Sequence, residues 1–291
     1  MALLEPQIIR RLEQLELQTR RILSGQMKGE RRSPKKGAGL DFADYRHYAR
    51  GDDLRHIDWN IYGRLDRLFI KIFHEEQDLQ CHLLLDTSKS MRYGEPDKFN
   101  CARALAAAIA YVGLTGQEKV GLTCFQATPS GGYGPVRGRH HLARLFKVLE
   151  NIEPDGQTSL EAICRSFSQR VRGRGMVILI SDLLDPAGFE GALRFLVRGN
   201  LDVTVLHVLA PQEIDPTLAG HLDLHDLETG HRVEVTVNEA IQKAYRRNVE
   251  AFCTKAREYC TKYGMLYQLV RSDTPIEELI VKRLRESGLL K

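Results

Sequence analysis

The sequence predicts an α/β fold with a central, mostly parallel sheet covered by helices on both faces. Three observations point there. From residue 79 onward, strand and helix patterns alternate. The strand candidates "LQCHLLLD" (79–86), "GMVILISDLLD" (175–185) and "LDVTVLHVL" (201–209) are apolar almost without interruption, as strands buried on both faces are. The segment "DKFNCARALAAAIAYVGLTGQ" (97–117) is apolar nearly all round, so its helix must be enclosed on several sides.

Taken in order, residues 3–23 place Leu4, Ile8, Leu12 and Leu15 at helical spacing, which predicts an amphipathic helix. "GQMKGERRSPKKG" (25–37) carries five basic residues, one acid, three glycines and a proline and reads as a mobile basic linker. Residues 39–76 interleave Arg and Asp with Tyr45, Tyr48, Trp59 and Tyr62, and "RLFIKIFHEE" (67–76) alternates as a strand. Such interleaving predicts ion pairs that fix an extended segment against the core, with Trp59 as its anchor.

The remaining elements follow from the same patterns. "KVGLTCFQ" (119–126) is a strand, "GGYGPVRG" (131–138) a turn with a short edge strand, and "HHLARLFKVLENI" (140–152) a helix. "DGQTSL" (155–160) is a loop opening the helix "SLEAICRSFSQRV", and "AGFEGALRFLVRGN" (187–200) is another helix. "HLDLHDLETGHRVEVTV" (221–237) predicts a hairpin with "ETG" at its tip, ahead of a long helix and the strand "MLYQLVRSD" (265–273). The closing helix starts with Thr274 as N-cap and Pro275 at its first position. The chain thus divides into an N-terminal helix and basic linker (1–38), an extended segment packing on the core (39–78) and an α/β domain (79–291) with a small hairpin insertion at about 221–237.

Composition narrows the function classes. Hydrophobic residues make up 43% and charged residues 27% of the 291 residues, enough apolar material for a real core. A formal charge of +4 does not suggest a wholesale nucleic-acid binder, although residues 25–37 and "RVRGRG" (170–175) are locally basic. No stretch reaches the roughly 18 apolar residues that span a bilayer, and the N-terminus lacks a signal-peptide core. The six cysteines form no CxxC pair, which disfavours a zinc site and suits a reducing, cytoplasmic setting.

The chemistry sits where apolar strands end in oxygen-bearing side chains. Asp86 closes one strand, Ser88 and Ser90 follow at alternate positions, Thr158 lies in the "DGQTSL" loop and Asp182 closes a second strand. In an open parallel sheet, ligands bind at the carboxyl ends of the strands. Carboxylates and hydroxyls are hard donors, the set that Mg²⁺ or Mn²⁺ takes at about 2.1 Å with water completing its shell. A cation held by few carboxylates keeps positive character and can receive an Asp or Glu from a partner protein. The plainer alternative is a strand-end turn whose Asp and Ser cap the next helix. A phosphatase with a nucleophilic Asp after an apolar strand would need a second carboxylate two residues on, where this chain has Ser88. "GGYGPVRG" lacks the Lys-Ser/Thr of a phosphate-binding loop.

Asp86-Thr87-Ser88-Lys89-Ser90, with Thr158 in "GQTSL" and Asp182 in "ISD", resembles the metal-ion-dependent adhesion site of von Willebrand factor A domains. With the preceding "DYRHYARGDDLRHIDWNIYGRLDRLFIKIFHEE", the chain from about residue 30 onward resembles the bacterial family filed as domain of unknown function 58. The resemblance implies a Rossmann-like A-domain fold, Mg²⁺ or Mn²⁺ on Asp86, Ser88, Ser90, Thr158 and Asp182, and a non-enzymatic, adaptor-like role. It also implies partnership with a MoxR-type AAA+ ATPase in protein maturation or assembly. Some relatives carry transmembrane helices before this region; this chain has only the short amphipathic helix, so no anchor is carried over.

Overall fold

The computed structural model describes residues 4–18, 33–37, 41–49, 52, 54–75, 80–171, 175–199, 201–217, 220–226, 230 and 232–290. At the N-terminus, α1 (Pro6–Leu12) begins with a proline in its first turn, where the missing N–H goes unneeded. The helix is shorter than the predicted 3–23, of which residues 19–23 lie outside the described set. After Leu12 the chain turns so that Leu15 and Leu17 are buried, and Leu17 bridges to Leu290. Leu4, Leu12 and Leu15 are buried as their spacing predicts, so packing has shortened the helix without changing which side chains face inward.

Residues 22–78 form a compact unit of their own. Its β1 (Ser33–Gly37), β2 (Asp41–His47) and β3 (Phe69–Glu75) make an antiparallel sheet in the order β1-β3-β2. The last five residues of the predicted basic linker are therefore a strand, while residues 25–32 lie outside the described set. Between β2 and β3, Asp58 caps α2 (Trp59–Leu65) by accepting the Asn60 and Ile61 amides, and it accepts the Tyr45 hydroxyl at 3.0 Å. Arg46 grips Asp52 through two hydrogen bonds of 2.6 and 2.5 Å, an ion pair of the kind the Arg/Asp interleaving predicts. Trp59 is 64% exposed, and the buried positions of this turn are Ile57 and Asp58, with Ile57 bridged to Ile70.

The other unit comprises residues 1–21 and 79–291. After α1 it runs β4 (Gln80–Asp86), α3 (Lys98–Thr115), β5 (Lys119–Phe125), β6 (Pro129–Arg137), α4 (Leu142–Glu150) and α5 (Leu160–Arg170). Then come β7 (Gly175–Ser181), α6 (Glu190–Val197), β8 (Leu201–Leu209), α7 (Pro211–Ile214), β9 (Gly220–His225) and β10 (Arg232–Val237). It closes with α8 (Glu239–Lys262), β11 (Leu266–Arg271) and α9 (Ile276–Glu278). Six strands form one sheet in the order β11-β8-β7-β4-β5-β6, parallel except for the β5–β6 pair. This is a mixed α/β architecture with a mostly parallel central sheet. β9 and β10 pair as the predicted hairpin; residues 227–229 of its tip lie outside the described set.

Strand alternation sorts the core into two layers. Leu83, Leu85, Ile178 and Ile180 pack with residues of α1, α3 and α4, while Leu84, Val177 and Leu179 pack with α5, α6 and α8. Helix α3 is buried nearly throughout, and its run of alanines lets neighbouring elements approach closely.

Two elements depart from the sequence reading. The glycine-rich stretch predicted as a turn is β6, a full antiparallel edge strand with two register shifts. Gly134 (φ +91) passes so close to β5 that a Cβ there would stand 2.6 Å from the Val120 carbonyl oxygen, so glycine here serves close backbone approach. At the C-terminus Pro275, rather than Thr274, occupies the N-cap, and α9 continues as a π-helical stretch, Leu279–Leu284. The wider turn places Leu279 and Leu284, five residues apart, both in the core.

Among the described residues no helix is long and apolar enough to cross a membrane. All six cysteines are free and buried, and burial pushes the Cys81, Cys101, Cys124, Cys164 and Cys260 thiols up to about 12. The native protein is therefore expected to react with an aromatic disulfide reagent at least about 100-fold more slowly than the denatured chain. Rapid labelling of one or more thiols without denaturant would contradict this.

Candidate metal-binding site

Three turns meet at the carboxyl ends of β4, β5 and β7. The turn after β4 is held to β5 by Thr87, whose amide and hydroxyl both donate to the Phe125 carbonyl at 2.8 Å. The 155–159 loop is laced to the same turn: Asp155 donates its amide to the Thr87 carbonyl, and Lys89 donates to the Gly156 carbonyl. Gly156 has φ +72, a conformation open to glycine without strain, and this turn delivers Thr158 to the strand ends.

Asp86 is fully buried at the centre. Its Oδ1 accepts the Ser88 amide at 3.0 Å and the Ser88 hydroxyl at 2.7 Å; Ser88 Oγ lies 3.0 Å from Ser90 Oγ. Its Oδ2 accepts the Thr158 hydroxyl at 3.4 Å and the Ser181 hydroxyl at 2.6 Å. Asp86, Ser88, Ser90 and Thr158 are thus brought together as the sequence predicts. Ser181, at the end of β7, joins them without having been read as a site residue; its signal was a hydroxyl directly before Asp182 at the end of an apolar strand.

Asp182 stands next to this cluster but is committed elsewhere. Its Oδ2 accepts Lys98 Nζ at 2.7 Å, and the same ammonium donates to Glu213 Oε1 at 2.6 Å. The Lys98 and Asp182 side chains are wholly buried, and Glu213 is 14% exposed. Burial alone would lower the Lys98 ammonium, but the charges of Asp182 and then Glu213 hold it above its ordinary value. Burial raises the Glu213 carboxyl, with Lys98 opposing. Glu213 Oε2 also accepts the Ala210 amide, which fixes α7. Lys98 and Glu213 were not read as site residues. The lysine's signal was a cation at the very start of a helix that is apolar almost all round.

His207 on β8 anchors the backbone of Asp182. A carbonyl can only accept, so the 2.9 Å contact makes His207 Nε2 the donor to the Asp182 carbonyl; Nδ1 then accepts the Tyr267 hydroxyl at 2.8 Å. Both ring nitrogens are satisfied in the neutral form, and burial pushes the His207 pKa down to about 4.

These residues fit a hard divalent cation by the chemistry of the donor set. Asp86 is buried among hydroxyls, no cation pairs with it among the described residues, and burial followed by the charge of Asp182 pushes its pKa up to about 7. A divalent ion would supply the missing counter-charge through carboxylate and hydroxyl oxygens. Among the described residues no group of three His, Cys, Asp or Glu side chains is arranged to hold a metal, so the hydroxyls are integral to any such site. A cavity of about 760 Å³ beside β11, lined in part by Arg257, Tyr267, Gln268, Lys282 and Arg283, shares no residue with this cluster.

The uncharacterized proteins Rv1480 of Mycobacterium tuberculosis and Mb1516 of Mycobacterium bovis are each 25% identical to this chain over 252 residues, 85% of this chain and 79% of theirs. The conserved hypothetical protein BatB from Bacteroides thetaiotaomicron is 16% identical, with a TM-score of 0.44 over 72% of this chain and 98% of that one. An aerotolerance-related membrane protein from Bacteroides fragilis is 17% identical, with a TM-score of 0.42 over the same shares. The family described as "Protein of unknown function DUF58" matches residues 44–255, and the chain belongs to that family.

Proposed function

We propose that this protein is a non-enzymatic, von Willebrand factor A-like binding module that engages a protein partner through a divalent cation. Asp86, Ser88, Ser90 and Thr158 would hold Mg²⁺ or Mn²⁺, with Asp182 beside them acting through water. The observation that carries this reading is a fully buried Asp86 surrounded by hydroxyls and lacking a counter-charge. The ion would supply positive charge for an Asp or Glu of the partner. At the rim of the turn, Lys89 and Arg92 are already paired with Asp155 at 3.3 Å and Glu153 at 3.7 Å, so the attraction for an acidic partner would rest on the ion itself. The MoxR-type AAA+ ATPase suggested by the family resemblance is the first partner to try, in a maturation or assembly role. A phosphatase reading is not favoured: Ser88, buried and bonded to Asp86, stands where a general acid would be needed.

Millimolar Mg²⁺ or Mn²⁺ is expected to raise the thermal midpoint of the wild type and not that of Asp86→Ala. Immobilised wild type should retain a MoxR-type ATPase from the same genome in Mg²⁺ and release it in EDTA, and Asp86→Ala should not retain it. Retention that is indifferent to EDTA and to Asp86→Ala would reject the reading.

A further inference from the structure

Lys98 occupies the first position of α3, directly after the capping residue Asp97. A cation is disfavoured there, because the first turn already presents unpaired amides and the positive end of the helix dipole. It is also wholly buried, at a place where an apolar side chain of similar length would avoid the desolvation of an ammonium. What Lys98 does have is two carboxylates from separate elements, Asp182 after β7 and Glu213 on α7, at 2.7 and 2.6 Å.

Charge accounting gives this arrangement a meaning. Asp86, Asp182 and Glu213 together bring three negative charges to one strand edge, more than a divalent ion carries. With Lys98 present, the net negative charge falls to two, and the carboxylate nearest to Asp86 is the one whose oxygen the ammonium holds. Resting on the metal-site reading above, we propose that Lys98 is a positioning residue, an internal counter-ion that cancels Asp182. It keeps the site from over-neutralising a bound divalent cation, so that the ion remains attractive to a partner's carboxylate. Asp182 is thereby an outer, charge-compensated member of the site; Asp86 is the uncompensated anion among the hydroxyls, and the second net charge stays on Glu213, on the other side of the ammonium. Cation affinity is moderated in exchange for affinity toward the acidic ligand.

The test uses the full chain and Mn²⁺ alone, with dissociation constants from titration calorimetry and free-ion electron paramagnetic resonance. Glu213→Gln leaves Lys98 facing Asp182 only, removes one negative charge, and should weaken Mn²⁺ binding about tenfold. Lys98→Met combined with Glu213→Gln restores the net charge but moves it onto Asp182, and should tighten binding about tenfold relative to wild type. Opposite shifts support the counter-ion role. A purely structural role predicts weakening in both. If the wild type binds Mn²⁺ and both variants bind equally well or both bind more weakly, the inference on Lys98 is overturned while the site reading stands. If the wild type binds no Mn²⁺ at millimolar concentration, the site reading falls and the inference with it.

Discussion

Replacing Lys98 with alanine is expected to destabilise the metal-free protein by about 3–5 kcal/mol at pH 8. The substitution removes the ammonium shared by Asp182 and Glu213 and leaves two carboxylates facing each other in a buried setting. At roughly 2–4 °C per kcal/mol for a chain of this size class, the thermal midpoint should fall by about 6–20 °C. Because burial already raises the Glu213 carboxyl, lowering the pH should protonate it and recover part of the loss. Combining Lys98→Ala with Glu213→Gln should recover a similar part at pH 8, since one uncompensated charge remains instead of two. Urea denaturation in EDTA at pH 8 and pH 5.5 measures both effects. A loss below about 1 kcal/mol would mean that water reaches the triad and the ions are solvated in place.

Asp86→Asn should act in the opposite direction, stabilising the metal-free fold at pH 8 by about 2–4 kcal/mol. The Asp86 pKa is near 7 in the folded chain, well above its ordinary value, so between about pH 4 and 7 the folded state binds a proton that the unfolded state lacks. Stability from this group is full at low pH and is lost as the pH rises through 7. His207 runs the other way: its folded pKa is near 4, below its ordinary value, so its contribution is full above about pH 6.5 and is lost as the pH falls toward 4. In the wild type the two slopes oppose each other between pH 4 and 6.5. Asparagine at 86 removes one of them, so the variant's stability should rise steadily over that range and then level off. Denaturation curves in EDTA from pH 4 to 8 test this. Parallel profiles for variant and wild type would show that Asp86 does not carry the shift.

Much of the fold was legible because the strands obey simple rules. The continuous apolar runs ending at Asp86 and Ser181 could only be strands covered on both faces, and they are. Leu15 and Leu17 show what periodicity misses: the spacing put Leu15 on the buried face of a longer helix, but the chain turns after Leu12 and buries Leu17 as well, bridged to Leu290. Around Trp59, contacts within the unit decide which residues of the turn are buried, through the cap at Asp58 and the bridge at Ile57. In the candidate site, Asp86, Ser88, Ser90 and Thr158 were readable because each lies at a strand end or loop whose position follows from topology. Lys98 and Glu213 were not, because an ion pair spanning 115 residues leaves no local pattern. Ser181 was hidden by its neighbour, the acid that drew the eye.

The edge strand β6 has a consequence for behaviour at high concentration. Pro129 and Pro135 have no N–H to donate, and the two register shifts bend the strand away from a regular ladder. That border of the sheet cannot offer a second molecule an unbroken row of donors, so lateral, fibril-like growth from this side is blocked.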